Sequence, residues 1–184
     1  MAPLVTKRLI NTEEYYKMGE TGVFRPDEKI ELINGEIINM APIGSNHAAI
    51  VRQLSSILAR SFTDEIIISS QQPIHIDQWN EPEPDIALLK LSKDNYFEAH
   101  PGPSDVLMIV EVSDSSHDYD SKVKLPLYAS AVIPVYWIIN LNRKCIEVYE
   151  EPVDDLYQKR MLYIPGHQIS FMDKSFDVAE ILLV

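Results

Sequence analysis

The seven residues 106–112, VLMIVEV, constrain the fold most. A nearly continuous apolar run of this length is the pattern of a β-strand covered on both faces. The chain must therefore build a sheet with packed layers on either side. Glu111 interrupts the run. A buried carboxylate without a partner is expensive, so this residue needs a cation, a metal ion or an open strand end.

The segments around this strand predict its neighbours. Residues 30–40 read as a hairpin, with Asn34-Gly35 between two alternating runs. Ser45 is expected to cap a helix in which Ile50, Val51, Leu54, Ile57, Leu58 and Phe62 recur at helical spacing. Residues 11–17 suggest a short helix with Thr12 near its N-cap. Strands are expected at 66–70, 74–76, 85–89, 135–139, 145–149, 157–163 and 170–176. A helix is expected at 119–131, with Pro126 kinking it or lying in its first turns. Glu81-Pro82-Glu83-Pro84 and Pro101-Gly102-Pro103 read as loops. Strands, helix, strands, helix, strands is an order that favours a mixed sheet flanked by helices over a doubly wound parallel fold.

At 184 residues and 46% hydrophobic content the chain suits one domain with a core of its own. Cys145 is the single cysteine, which excludes an internal disulfide and is compatible with a reducing compartment. It reads as a small core residue in a strand. No run approaches the roughly 18 apolar residues of a membrane span, and the opening residues, MAPLVTKRLI, lack the apolar stretch of a signal peptide. A cytoplasmic protein without membrane contact is expected. The net charge of −12 runs against nucleic-acid binding, because phosphate contacts need Lys and Arg. Bound metal ions and a local basic patch can outweigh global charge at a site.

Three groups carry candidate chemistry. Glu111 sits in the apolar strand. Asp85 begins a strand directly after Pro84, where side chains reach the rim of a sheet. Asp120, Lys124 and Tyr128 are four apart and share one helix face, from which Lys124 can reach over the sheet. Lys122 points about 200° away on an ideal helix. Two carboxylates and a lysine suit hard-metal hydrolysis: oxygen ligands hold Mg²⁺ or Mn²⁺, the metal activates water, and the lysine orients that water or stabilises charge on phosphorus.

Pro84-Asp85, Glu111-Val112-Ser113, Asp120-x-x-x-Lys124-x-x-x-Tyr128 and Tyr136-Trp137-Ile138-Ile139, in this order and spacing, resemble the bacterial Uma-type restriction-endonuclease family of the PD-(D/E)XK nuclease superfamily. The hairpin ELINGEIINM with Gly44-Ser45-Asn46-His47 resembles the N-terminal region of that family. The resemblance spans about Ile30 to Tyr149. It implies a restriction-endonuclease-like fold over residues 1–184, with Asp85 and Glu111 as metal ligands and the main-chain carbonyl of Val112 as a further one. It also implies a homodimer acting on nucleic acid, with DNA as the expected substrate. Ser113 stands where the superfamily pattern has lysine, and Lys124 is the candidate to replace it. Val132 stands where the helix-ending glycine is usual, so the helix is expected to end differently. Val135 and Asn140 replace residues that are usually acidic.

Plainer roles exist for each residue. Asp85 can cap a turn, Glu111 can pair with an arginine, and Lys124 can be a solvated helix lysine. Asp120 fits a helix start at least as well as a ligand, and Tyr128 fits core packing with a satisfied hydroxyl. His47, Glu36 and Gln72 are possible auxiliary groups: a histidine in the first turn of the long helix, a hairpin glutamate and a glutamine before Pro73. No His or Cys pair has zinc spacing. A nuclease-fold module that binds without cutting, and a hydrolase of small phosphoesters, share these residues and compete with the nuclease.

Overall fold

A computed structural model describes residues 6–184. The run at 106–112 forms β5 (Val106–Ser113), the second inner strand of a six-stranded sheet. The sheet runs in the order β3 (Ile67–Ser69), β4 (Ile86–Leu89), β5, β6 (Val135–Asn140), β7 (Cys145–Val153), β8 (Leu156–Tyr163). Only β5 and β6 pair in parallel; the other neighbours are antiparallel. A parallel pair needs a crossover, and residues 117–130 supply it as a helical segment. The architecture is the mixed sheet flanked by helices that the element order predicts.

Both faces are covered. On one, Met108, Val110, Val112, Trp137 and Ile139 pack against Ile50, Leu54 and Leu58 of α2 (Ser45–Ser61). The hairpin of β9 (Gln168–Phe171) and β10 (Lys174–Asp177), with α5 (Val178–Leu182), closes the same side through Phe171, Phe176 and Ile181. On the other face, Ile109, Tyr136, Ile138 and Tyr149 meet Tyr128 and Ile133 from the crossover. Alternation puts Glu111 on this second face, under the crossover helix.

The crossover is not one α-helix. It runs as α3 (His117–Tyr119), a π-helical turn (Asp120–Lys124) and α4 (Leu125–Ser130). Pro126 has no N–H to donate and lies at the start of α4, where that loss is tolerated. The register shifts upstream of it, and the Leu125 N–H bonds to the Asp120 carbonyl. Single π turns within helices recur at functional sites. Here the turn carries Asp120 and Lys124, both buried.

The N-terminal hairpin pairs β1 (Ile30–Ile33) with β2 (Glu36–Asn39), apart from the large sheet. Asn34 and Gly35 take φ of 52° and 71°, the left-handed pair of the tight hairpin turn. A Cβ on Gly35 would come within 2.8 Å of Leu9 Cβ, so glycine is required there twice over.

Five local expectations are corrected. The first helix, α1, extends over Thr12–Glu20 and is capped by Asn11, not Thr12, because Glu14 completes a capping box with Asn11. Gly44, not Ser45, is the N-cap of α2, and no side chain caps that helix end. Residues 74–76 form no strand: Ile74, His75 and Ile76 donate to Pro82, Pro101 and Asn80, three separate places rather than one partner strand. Residues 170–176 divide into two strands joined by a turn. The helix before Val132 ends as a glycine-capped helix would. Val132 adopts φ 57°, and the N–H groups of Val132 and Ile133 reach the carbonyls of Ala129 and Tyr128.

Candidate active site

β4 and β5 end side by side, and the cleft begins where their pairing stops. Ile86, the first residue of β4, is the outermost one in register, opposite Val110. Asp85 therefore sits beyond the ladder, and its Oδ2 takes over as partner of the Val112 N–H at 2.8 Å. The same oxygen meets His47 Nε2 of α2 at 2.9 Å. The Asp85 N–H donates to Glu111 Oε2 at 3.3 Å, which links the two carboxylate residues directly.

Glu111 is 4% exposed. Its Oε1 accepts from Lys124 Nζ and from Tyr128 OH, each at 3.0 Å. The π turn brings Lys124 over the sheet, and α4 brings Tyr128. Burial pushes the Glu111 carboxyl up to about 8; Lys124 opposes that shift, while Asp85, Asp120 and Glu31 add to it. Burial alone would lower the Lys124 ammonium, but Glu111, Glu31 and Asp120 outweigh it and hold the group above its ordinary value. Lys124 is therefore a fixed positive charge and not a base.

Asp120 accepts from Ser113 Oγ and Ser116 Oγ. Burial raises its carboxyl, against the two serines and Lys124. Ser113, at the superfamily's lysine position, is thus occupied in fixing Asp120. Glu31, which sequence reasoning passed over, is 2% exposed and lies 3.1 Å from Lys124 Nζ. The signal was present: Glu31 interrupts the buried strand IELI as Glu111 interrupts VLMIVEV.

These groups line one cleft of about 410 Å³. Asp85, Glu111, Val112, Lys124, His47 and Asp120 all face it. Glu36 and Gln72 are placed elsewhere. Glu36 pairs with Lys7 at 2.6 Å on the surface. Gln72 is exposed and bonds to the Gln71 carbonyl, and it is Gln71 that lines the cleft. The backbone explains this: Gln71 adopts a left-handed φ of 52°, so the chain turns there and Gln71 rather than Gln72 meets the cleft.

Six carboxylates (Glu31, Glu83, Asp85, Glu111, Asp114, Asp120) face two lysines (Lys29, Lys124) across the cleft. A partly buried concentration of oxygen ligands short of positive charge suits a hard divalent cation. Among the described residues, no three His, Cys, Asp or Glu side chains are arranged to hold a metal by themselves. A cation here would draw on Asp85, Glu111 and main-chain oxygen together. His47 Nδ1 and Tyr119 OH are buried on the cleft wall with no hydrogen-bond partner among the described residues. Such atoms call for an unseen partner.

Comparison with known proteins bears on the fold and the family. No curated protein matches the chain. A solved structure of a "putative nuclease belonging to DUF820" from Anabaena variabilis superimposes with a TM-score of 0.75 at 14% identity. The match covers 95% of this chain and 98% of that one, and at this identity it speaks for the fold alone. The family model Uma2, described as "putative restriction endonuclease", matches residues 12–173. That stretch takes in the hairpin, both carboxylate strands and the crossover helix, and the chain belongs to the Uma2 family.

Proposed function

We propose that the chain is a divalent-metal-dependent endonuclease that hydrolyses phosphodiester bonds in DNA. The observation that carries this reading is the convergence of Asp85, Glu111 and Lys124, from three elements, in one acidic cleft. Asp85 and Glu111 would hold Mg²⁺ or Mn²⁺ with the Val112 carbonyl. In an antiparallel ladder one residue's N–H and C=O face the same neighbour. The Val112 N–H already faces Asp85, which supports its carbonyl as the main-chain ligand.

When bound, the cation supplies a polarised phosphoryl oxygen and a bound water of lowered pKa. The protein's own groups do the rest. Lys124, permanently charged, orients the attacking water or offsets the negative charge that builds on phosphorus. His47 donates from Nε2 to Asp85 and fixes the carboxylate orientation, as partners of metal ligands do. Tyr128 holds Glu111 from the other side. A homodimer in the cytoplasm is part of the same reading, and light scattering on the purified chain gives the oligomeric state.

The test is Mn²⁺ titration followed by cleavage. Asp85→Ala and Glu111→Ala should each abolish calorimetric Mn²⁺ binding and Mn²⁺-dependent cleavage, with the circular dichroism spectrum unchanged. Cleavage that survives in both variants sinks the proposal. A second reading, a nuclease-fold module that binds without cutting, is favoured by Ser113 standing at the usual lysine position. It predicts no Mn²⁺ heat in the wild type.

A further inference from the structure

The nuclease reading gives no task to Glu31, a buried carboxylate of the cleft. Glu31 lies on β1, in a hairpin that is not part of the six-stranded sheet. Its Oε2 meets Lys124 Nζ at 3.1 Å and accepts the Glu83 N–H at 3.1 Å. β1 also exchanges backbone bonds with the segment that leads into Asp85: the Glu81 N–H reaches Leu32 O at 2.8 Å, and the Leu32 N–H reaches Glu81 O at 3.4 Å. One carboxylate thus joins three elements: the hairpin, the loop that delivers Asp85 and the helix that delivers Lys124.

Among the described residues Lys124 has one other carboxyl anchor, Glu111 Oε1 at 3.0 Å. Glu111 is also the proposed metal ligand. Oxygen electrons committed to a divalent cation are less available to an ammonium. A lysine on a flexible four-carbon stem then needs an anchor that is not a ligand. An ammonium left unpaired at this depth would be strongly unfavourable. Glu31 is placed for that duty, because its other bond is to a backbone N–H that keeps it in position.

We infer that Glu31 is the positioning residue of Lys124, holding the ammonium in the cleft while Glu111 serves the metal. The inference rests on the nuclease reading for the consequence of misplacing Lys124, and on geometry alone for the anchoring.

The test uses the full chain with isotope-labelled lysine, so that a slowly exchanging side-chain ammonium is seen by NMR. The signal is assigned by its loss in Lys124→Met. Glu111→Gln removes the second carboxyl anchor, which a metal would otherwise engage, and the Lys124 signal should stay slow. Adding Glu31→Gln should speed its exchange at least about tenfold. Loss of the signal in Glu111→Gln alone, or its persistence in the double variant, overturns the assignment.

Cleavage gives an independent arm. Glu31→Gln keeps an acceptor for the Glu83 N–H but loses the charge. It should lower kcat roughly 10- to 100-fold with KM little changed. Combined with Lys124→Met it should be no slower than Lys124→Met alone. A double variant that loses the product of the two single effects overturns the inference, because Glu31 would then act by a route other than Lys124. A wild type that cleaves nothing defeats the nuclease reading only, and the ammonium signal still decides the role of Glu31.

Discussion

Glu111 and Glu147 show how neighbours decide what a buried carboxylate is for. They share one row of the sheet, since Glu111 pairs with Ile138 and Ile138 with Glu147. Both are almost wholly buried. Burial pushes both upward, but in Glu147 it is outweighed by Tyr149, His117 and Arg160, and the net shift is down. In Glu111 burial wins, and the carboxyl is pushed up to about 8. The stability contributions run in opposite directions. Glu147 stabilises the fold above the ordinary carboxylate range and loses that contribution as pH falls through its lowered value. Between the ordinary value of 4.5 and about 8 the fold keeps a proton on Glu111 that the unfolded chain has released. That contribution is full below this window and is lost as pH rises through it. Thermal melts of metal-free protein across pH should show both limbs. Glu147→Gln should flatten the acid limb. Glu111→Gln should remove the decline toward pH 8, with the variant gaining on the wild type as pH rises. A wild-type Tm that does not fall across the upper window contradicts the assignment for Glu111. Glu147, whose partners outweigh burial, reads as structure, and Glu111, in which burial outweighs Lys124, reads as a group whose charged form a metal cation would stabilise.

At the scale of elements, the crossover shows what sequence carries and what it withholds. Its place, its apolar face and the reach of Lys124 over the sheet follow from four-residue spacing. The π turn does not, because periodicity reports a face and not a hydrogen-bond register. Pro126 was the available signal, and its missing N–H fits a break just upstream. Glu31 was legible by the same rule that marked Glu111, but a strand of four residues offers little apolar context. Gln72 went the other way: β3 ends at Ser69 and Gln71 turns with a left-handed φ of 52°, and strand alternation does not say which of two adjacent glutamines a turn aims inward. The end of the crossover adds a prediction. Val132 holds a left-handed φ that a β-branched residue adopts at a cost of about 1–2 kcal/mol, and it is 67% exposed, so little packing offsets that cost. The cap survives because Tyr128 and Ile133 are both fully buried and two backbone bonds close it. Val132→Gly should therefore stabilise the fold by roughly 1 kcal/mol. Chemical denaturation reads this directly, and an unchanged or lower midpoint would refute the strain argument.

At the scale of the molecule, charge is the property hardest to reconcile with a nucleic-acid substrate. The chain carries −12. Within the cleft, six carboxylates face two lysines, and Lys124 is already held by Glu111 and Glu31. A phosphate approaching this surface without metal meets repulsion at long range and few cations at contact. Affinity should then be conditional on the divalent cation, which turns the most negative part of the cleft into the part that attracts phosphate. Ca²⁺, an oxygen-seeking ion, lets binding be measured apart from cleavage wherever it fails to support turnover. Fluorescence anisotropy of a labelled oligonucleotide should show no binding in chelator and measurable binding once Ca²⁺ is added. With few lysines or arginines to release counterions, the log–log salt slope with Ca²⁺ present should stay shallow, about −2 to −3. Tight binding in chelator with a steep slope would mean that a basic surface outside the cleft carries the nucleic acid. The acidic site would then be a consequence of the fold and not the reason for binding.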